Sequence, residues 1–199
     1  MPVVEIAWWS PSEAFEADKS IIIPALDFLK STDGCNAVYS GFAEEEKTHF
    51  LFLVWETLEH HQNLIAHPEY PQVTRLLPTV GEGGIKLYHV EFNKDFLPAI
   101  SAPSTEILAM TLKEGKTKDE LYTILGAIAS NIDKDNTPEH RHATFGPTVE
   151  DPTKFYLSIG WKSAAFHGEI VQQPHIFAEI LKLRETVDYK LLHVNFAKH

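Results

Sequence analysis

Cysteine and basic residues are both scarce in this 199-residue sequence. Cys35 is the only cysteine, so no intramolecular disulfide can form and a metal site built from thiolates is ruled out. The sequence has 17 Lys and Arg against 28 Asp and Glu, which gives a formal charge of -11. Because nucleic-acid binding needs clustered positive charge against phosphate, this balance predicts no nucleic-acid partner.

Long hydrophobic runs and the motifs of common cofactor sites are also missing. No apolar stretch approaches the ~18 residues of a membrane span, and the first residues lack the basic and then apolar pattern of a signal peptide. No Gly-rich phosphate loop follows a strand pattern, which argues against a nucleotide cofactor. His140 and His142 have the alternating spacing of two metal ligands, but solvated side chains on an edge strand are favoured there. The sequence therefore predicts a cytoplasmic protein with no cofactor, no metal and no membrane partner.

Two similar segments are the strongest signal that the sequence contains. Each half has an apolar run ending in Trp, a His six residues after that Trp, and a second His in a closing strand pattern. The corresponding pairs are Trp55 and Trp161, His61 and His167, and His89 and His193. The first two pairs are 106 residues apart and the third is 104 residues apart. A near-constant offset in the same order predicts a tandem duplication.

The predicted elements have the same order in each half: strand, helix, strand, strand, helix, strand. In the first half, a strand at Val3–Trp9 precedes a helix over residues 12–31, which Pro24 is expected to kink or restart. In the second half, Thr117 is placed to cap a helix over residues 118–132. Two βαβ units in one run form the ferredoxin-like βαββαβ arrangement, so the predicted class is α+β.

The two repeats are expected to cover each other. A four-stranded sheet with helices on one face leaves its other face bare, and burying several hundred Å² at ~25 cal/mol per Å² contributes on the order of 10 kcal/mol. We therefore predict an intramolecular α+β barrel in which two ferredoxin-like repeats pack sheet to sheet. The predicted ranges are 1–97 for the first repeat, 98–104 for a linker and 105–199 for the second repeat.

Three short motifs resemble a known superfamily. They are Leu-Val-Trp-Glu-Thr-Leu-Glu-His-His-Gln at 53–62, His-Pro-Glu-Tyr at 67–70 and His-Val-Glu-Phe at 89–92. They resemble the dimeric α+β barrel superfamily, which includes antibiotic-biosynthesis monooxygenases (the ABM domain) and stress-responsive A/B-barrel proteins. The resemblance implies a tandem-duplicated, single-chain form of that barrel and a role in secondary metabolism. Whether the chain also forms a homodimer stays open.

Strand alternation indicates which side chains of the closing strands face a cavity. Residues 88, 90 and 92 are apolar and are expected to pack under the helices, so His89 and Glu91 would face the space between the sheets. The same alternation places His193 there in the second half. Glu5 or Glu91 beside His89 would form a proton-transfer pair. The competing interpretation, hydrogen-bonded core histidines, is favoured because the residue recurs in both halves.

The segment around His67 and Tyr70 is a second candidate. It resembles the His-Pro-x-His stretch of plant polyketide cyclases of this fold, in which the second His is the general base. Tyr70 stands at that position here, so the base is not carried over, and His67 and Tyr70 would instead serve as an acid/base pair. His61 and His167 are interpreted as residues that orient the start of a helix.

Together these features predict a cofactor-independent enzyme acting on a small, largely apolar organic molecule. The reaction would be of isomerase, cyclase, lyase or monooxygenase type. The predicted catalytic residues are His67, Tyr70, His89 and Glu5, and the predicted lining residues are Trp9, Trp55, Glu91 and His193. The alternatives are a stress-responsive protein that binds a small ligand without turnover, and a barrel that acts through its surface.

Overall fold

The structure is a computed structural model that describes residues 2–134 and 140–199, with the side chains described at 2–133 and 143–199. It separates into two compact units, Met1–Glu91 with Ala197–His199, and Phe92–Phe196. Each unit contains one antiparallel sheet with helices, so the predicted α+β class is confirmed. None of the helices in the described ranges has the length and apolar character needed to cross a membrane.

The first unit contains β1 (Val3–Trp9), α1 (Glu13–Ala17), α2 (Ile23–Lys30), β2 (Cys35–Phe42), β3 (His49–Trp55), α3 (Leu58–Ile65), β4 (Lys86–Val90) and, from the end of the chain, β9 (Ala197–Lys198). The strand order is β4-β1-β3-β2-β9, and neighbouring strands are antiparallel. Pro24 lies in the first turn of α2, where its missing N–H leaves no hydrogen bond unmade. The predicted helix over 12–31 therefore restarts at this proline.

The second unit contains α4 (Leu97–Ile100), β5 (Ser104–Leu112), α5 (Lys118–Lys134), β6 (His140–Pro147), β7 (Lys154–Trp161), α6 (Ala164–Ile170), α7 (Pro174–Thr186) and β8 (Val187–Val194). The strand order is β6-β7-β5-β8. Thr117 Oγ1 accepts a hydrogen bond from the Glu120 N–H, and Glu120 Oε2 accepts one from the Thr117 N–H. This reciprocal capping box confirms the predicted start of α5. Residues 98–104, the proposed linker, overlap α4 and the first residue of β5.

The closing strands turn their histidines toward the helices. His89 on β4 contacts His61 on α3, and Leu87 on the same strand face packs against the core that α2 and α3 cover. In the second unit, His193 on β8 contacts His167 on α6 in the same way. The expectation that this mixed face turns away from the helices is therefore wrong. A polar side chain can lie beneath a helix because the helix supplies a hydrogen-bond partner for it.

Two glycines with positive φ differ in their surroundings and give a matched test of local packing. Gly34 (φ 73°) precedes β2, and a Cβ built there would overlap the His60 ring, whereas Gly115 (φ 78°) has open space within 4 Å. Gly115→Ala should cost only the ~1–2 kcal/mol of the left-handed conformation. Gly34→Ala should cost roughly 1–3 kcal/mol more because of overpacking. Urea unfolding of both variants measures these costs. Equal losses in the free energy of unfolding would show that the His60 ring moves aside freely.

Candidate functional site

Each unit contains a buried cluster of one Glu, one Trp and two His. The first quartet consists of Glu5 on β1, Trp55 on β3, His61 on α3 and His89 on β4; the second quartet consists of Glu106 on β5, Trp161 on β7, His167 on α6 and His193 on β8. All eight side chains are buried. Strand register creates both clusters, because Glu5 lies opposite His89 and Glu106 lies opposite His193. The helix that follows the Trp-bearing strand then supplies the second histidine.

In the first quartet, a single ring nitrogen faces two partners. Trp55 Nε1 donates a hydrogen bond to Glu5 Oε2 at 2.8 Å. His61 Nδ1 lies 3.2 Å from the same carboxylate oxygen and 2.7 Å from His89 Nε2. The Trp55 and His61 rings stack at 4.9 Å with an interplanar angle of 8°. Burial and the neighbouring His89 lower the pKa of His61 to about 3, so its imidazole is neutral at neutral pH.

In the second quartet, the histidine uses both ring nitrogens. Trp161 Nε1 donates a hydrogen bond to Glu106 Oε2 at 2.9 Å. His167 Nε2 lies 3.4 Å from that oxygen, while His167 Nδ1 lies 2.8 Å from His193 Nε2. The Trp161 and His167 rings stack at 4.8 Å with an angle of 16°. The two quartets therefore share residue types and stacking but differ in how the central imidazole is turned.

A cavity of about 120 Å³ lies in the second unit beside the second quartet. Side chains from β5, β7 and β8 and from α5, α6 and α7 line it, and Glu106, Trp161 and His167 of the second quartet are among them. Most of the remaining lining is aliphatic, while Arg184 and Tyr189 are exposed and lie where the cavity meets solvent. Since an apolar cavity of about 150 Å³ binds benzene, this cavity suits a ligand with a single small ring.

The structure brings together some of the predicted site residues. Glu5, Trp55 and His89 all belong to the first quartet, with His61 as the link between the Glu and His89. His193 belongs to the second quartet. Trp9 is buried in the core of the first unit, where its Nε1 donates to the Thr79 carbonyl at 3.1 Å. Trp9 therefore fills the core of the first unit, and the predicted cavity-lining role is not what its position shows.

Other predicted residues lie outside the quartets. His67 is exposed in the turn after α3, where its Nδ1 accepts a hydrogen bond from the Glu69 N–H at 3.1 Å. Glu91 is exposed because β4 ends at Val90. The predictions that Glu91 faces an enclosed space and that His67 belongs to an enclosed site are therefore wrong. Tyr70 is half-buried against the first core, and burial and the Glu5 carboxylate raise its pKa. The side chains of His140 and His142 lie outside the described residues.

Sequence reasoning missed three central residues: Glu106, His167 and His61. The signal for the two histidines was present, because each follows a strand-end Trp by six residues. The spacing predicts residues that orient the start of a helix, whereas the rings connect the helix to the carboxylate and to the closing strand. Glu106 gave a weaker signal, since it lies 101 residues after Glu5 and departs from the offset of 104 to 106.

These features define the class of the protein as α+β with two antiparallel sheets. Its sequence matches no protein-family model and no curated protein. Its fold is similar to those of two proteins named “putative monooxygenase”. The one from Fusobacterium nucleatum has a TM-score of 0.70 at 11% identity and covers 98% of this chain and 92% of its own. The one from Lactobacillus acidophilus has a TM-score of 0.64 at 12% identity and covers 98% and 93%.

A third solved structure with a similar fold is that of an anthrone oxidase-like protein. It has a TM-score of 0.69 at 12% identity, and the match covers 98% of this chain and 91% of the other. At identities this low, the three likenesses establish a shared fold. The chemistry of this chain has to be argued from its own side chains.

Proposed function

We propose that the second unit is a cofactor-independent enzyme site in which His167 removes a proton from a carbon atom of a small, largely apolar molecule. The observation that carries this proposal is the cavity of about 120 Å³, whose lining residues include Glu106, Trp161 and His167. An apolar pocket with a few convergent polar groups is the usual form of a small-molecule site. The apolar walls exclude water and so strengthen the electrostatic interactions inside.

The second quartet can hold His167 in the protonation state that a general base needs. In that state His167 Nδ1–H donates to His193 Nε2, 2.8 Å away, and Nε2 is the nitrogen that takes the proton of the substrate. The imidazolium that forms then faces the Glu106 carboxylate at 3.4 Å, which stabilises the charge. Trp161 fixes that carboxylate by its N–H, and His193 acts as a positioning residue.

The substrate class follows from the size and the walls of the cavity. We infer a single-ring carbon acid whose carbanion is stabilised by conjugation, because the aliphatic walls offer an anion little hydrogen bonding. The names of the similar structures favour oxygenation as the next step. The carbanion would transfer electrons to O₂, and the resulting hydroperoxide would lose water, so that a CH₂ group and O₂ become C=O and H₂O. Return of the proton to a different carbon would instead give isomerisation.

Proton exchange tests the catalytic step without knowledge of the natural substrate. Single-ring ketones such as cyclohexanone and cyclohex-3-enone should exchange their α-hydrogens in D₂O faster in the presence of the protein, as followed by NMR. His167→Gln should lower that rate by ~10² or more, the range expected for loss of a general base. His175→Gln is the matched control, because His175 is exposed on α7 and should leave the rate unchanged. An O₂ electrode then separates oxygenation from isomerisation.

A ligand-binding protein without turnover is the second candidate, and the same cavity supports it. In that case the ketones would bind to wild type and to His167→Gln with similar affinity, and neither protein would speed exchange. Equal exchange rates for wild type and His167→Gln would therefore remove the catalytic proposal. If no ketone binds at all, the cavity is a packing feature and both candidates fail.

We also infer that the two units descend from one duplicated segment. The strand order β4-β1-β3-β2 in the first unit corresponds to β8-β5-β7-β6 in the second, and each unit carries a Glu, Trp and two His on matching elements. These correspondences support the duplication. Sheet-to-sheet packing as a barrel and the detailed assignment to the ABM-like superfamily stay predictions.

A further inference from the structure

We propose that Glu5, His61 and His89 of the first unit bind one divalent transition-metal ion, with Zn²⁺ as the representative case. Each residue offers one ligand atom, and these atoms all lie within 4.8 Å of one another. All three side chains are buried. Within the part of the chain that the structure describes, this is the one convergent group of His, Cys, Asp or Glu. The site is separate from the catalytic proposal, which concerns the second unit.

The donor set is one that transition metals take. Two imidazole nitrogens and one carboxylate oxygen are the protein ligands of many catalytic zinc sites, which keep a fourth position for water or substrate. Metal–ligand bonds of ~2.0–2.2 Å in a tetrahedral site place the ligand atoms roughly 3.3–3.5 Å apart. Glu5 Oε2 and His61 Nδ1 are already 3.2 Å apart. His61 Nδ1 and His89 Nε2, at 2.7 Å, have to separate by roughly 0.6–0.8 Å.

Without a cation, this geometry leaves one hydrogen shared between competing atoms. If His61 Nδ1 carries a hydrogen, Glu5 Oε2 at 3.2 Å and His89 Nε2 at 2.7 Å both face it as acceptors. If it carries none, its lone pair can accept a hydrogen from His89 Nε2 but also faces the carboxylate oxygen. A metal ion accepts all three lone pairs at once, and its charge offsets that of the buried Glu5 carboxylate. The three donor atoms therefore converge on one point in the way that the ligands of a cation do.

The second quartet is an internal comparison with the same residue types. There, Glu106 faces Nε2 of His167 and His193 faces Nδ1. The two nitrogens of an imidazole point away from each other, so one ion cannot be bound by all three residues in that arrangement. Trp stacking is common to both quartets and does not explain the difference. The geometry thus predicts one metal ion per chain rather than two.

The neighbouring groups support a site on the first quartet. Trp55 Nε1–H donates to Glu5 Oε2 at 2.8 Å and so fixes the carboxylate, as outer-shell partners of metal ligands do. The stacked Trp55 ring also holds the plane of His61. Strand β4, which carries His89, lies at the edge of its sheet, so a small outward shift perturbs one strand pairing, with β1.

Metal titration of the full chain tests the proposal. The protein is stripped with a chelator and titrated with Zn²⁺ by calorimetry and with Co²⁺ by visible absorption, which reports four-coordinate geometry. Wild type should bind one equivalent. Glu5→Gln and His89→Gln should each weaken binding by ~10²-fold or more, whereas His167→Gln should still bind one equivalent. Trp55→Phe keeps all three ligands and should weaken binding by roughly 10-fold, the effect of an outer-shell change.

Any other outcome of the metal titration contradicts the proposal. Binding that is unchanged in Glu5→Gln would show that zinc sits adventitiously on other histidines, and variants of the half-buried His60 (His60→Gln) and of the exposed His67 (His67→Gln) test this. Two equivalents, one of them lost in His167→Gln, would contradict the convergence argument. Absence of binding to a folded wild type would remove the site outright. If Glu5→Gln and His89→Gln fail to fold, Trp55→Phe decides, since unchanged affinity in that variant excludes the first quartet.

Discussion

Replacing Glu106 by alanine is expected to lower the free energy of unfolding by about 3 kcal/mol, the sum of a lost buried hydrogen bond and a small cavity. The Glu106 carboxylate accepts the Trp161 N–H at 2.9 Å and faces His167 at 3.4 Å. Its removal takes the acceptor from a buried donor and enlarges the cavity of about 120 Å³ that Glu106 lines. Urea unfolding followed by Trp fluorescence measures the loss.

Two further alanine variants test whether the loss of stability is specific to a buried carboxylate that accepts a Trp N–H. Glu5→Ala should show a loss of similar size in the first unit, because Glu5 accepts the Trp55 N–H at 2.8 Å in the same way. Glu169→Ala on α6 should change stability by less than ~0.5 kcal/mol, because Glu169 is exposed. A loss at Glu106 no larger than that at Glu169 would mean that the carboxylate is not a structural partner of Trp161.

Glu106→Gln separates stability from catalysis. The amide oxygen can still accept the Trp161 N–H, so we expect most of the stability to remain. The negative charge that faces His167 Nε2 at 3.4 Å is lost, so the imidazolium formed on proton removal is less stable. The α-hydrogen exchange rate should therefore fall although the protein stays folded. An exchange rate equal to that of wild type would show that the Glu106 charge has no part in the proton transfer.

The arrangement of elements was accessible from the sequence because local rules decided it. Periodic apolar residues predicted the β1 strand at Val3–Trp9 with the bounds that the structure has. Pro24 predicted a restart of the first helix because a proline has no N–H to donate inside a helix. Thr117 predicted the start of α5 because its hydroxyl can accept from the first helical turn. These signals act within a few residues and need no tertiary context.

The site was less accessible because its contacts join distant parts of the chain. His61 and His89 are 28 residues apart, and their contact depends on which strand face the helix covers. Strand alternation predicts that the apolar face of the closing strand packs under the helices, which is the ordinary pattern for a half-buried strand. Because the neighbouring helix carries a buried histidine of its own, the strand face that bears His89 turns toward the helix instead. The cavity beside His167 depends on imperfect filling between α5, α7 and the sheet, which sequence patterns do not encode.

His49 is expected to make the protein labile to acid, with a loss of about 2 kcal/mol between pH 7.5 and pH 5. Its ring is 2% exposed, and Trp9, Phe15 and Phe42 surround it at ring distances of 4.7 to 5.0 Å. Among the residues the structure describes, none makes a hydrogen bond to its Nδ1. Burial, and then the positive Lys19 and the nearby His199, lower the pKa of His49 to about 3.

The sign of the effect follows from proton binding. An unfolded histidine titrates near ~6.5, so between that pH and about 3 the unfolded state binds a proton that the folded His49 does not. Stability is therefore unaffected above the unfolded pKa and falls as the pH drops through this window. His49→Leu removes the titrating group and should flatten this part of the acid limb, while His175→Leu, at an exposed position, should leave it unchanged. Urea unfolding of the three proteins at pH 7.5, 6 and 5 measures the difference. If wild type and His49→Leu lose stability in parallel, His49 is protonated in the folded state and its aromatic surroundings do not exclude the charge.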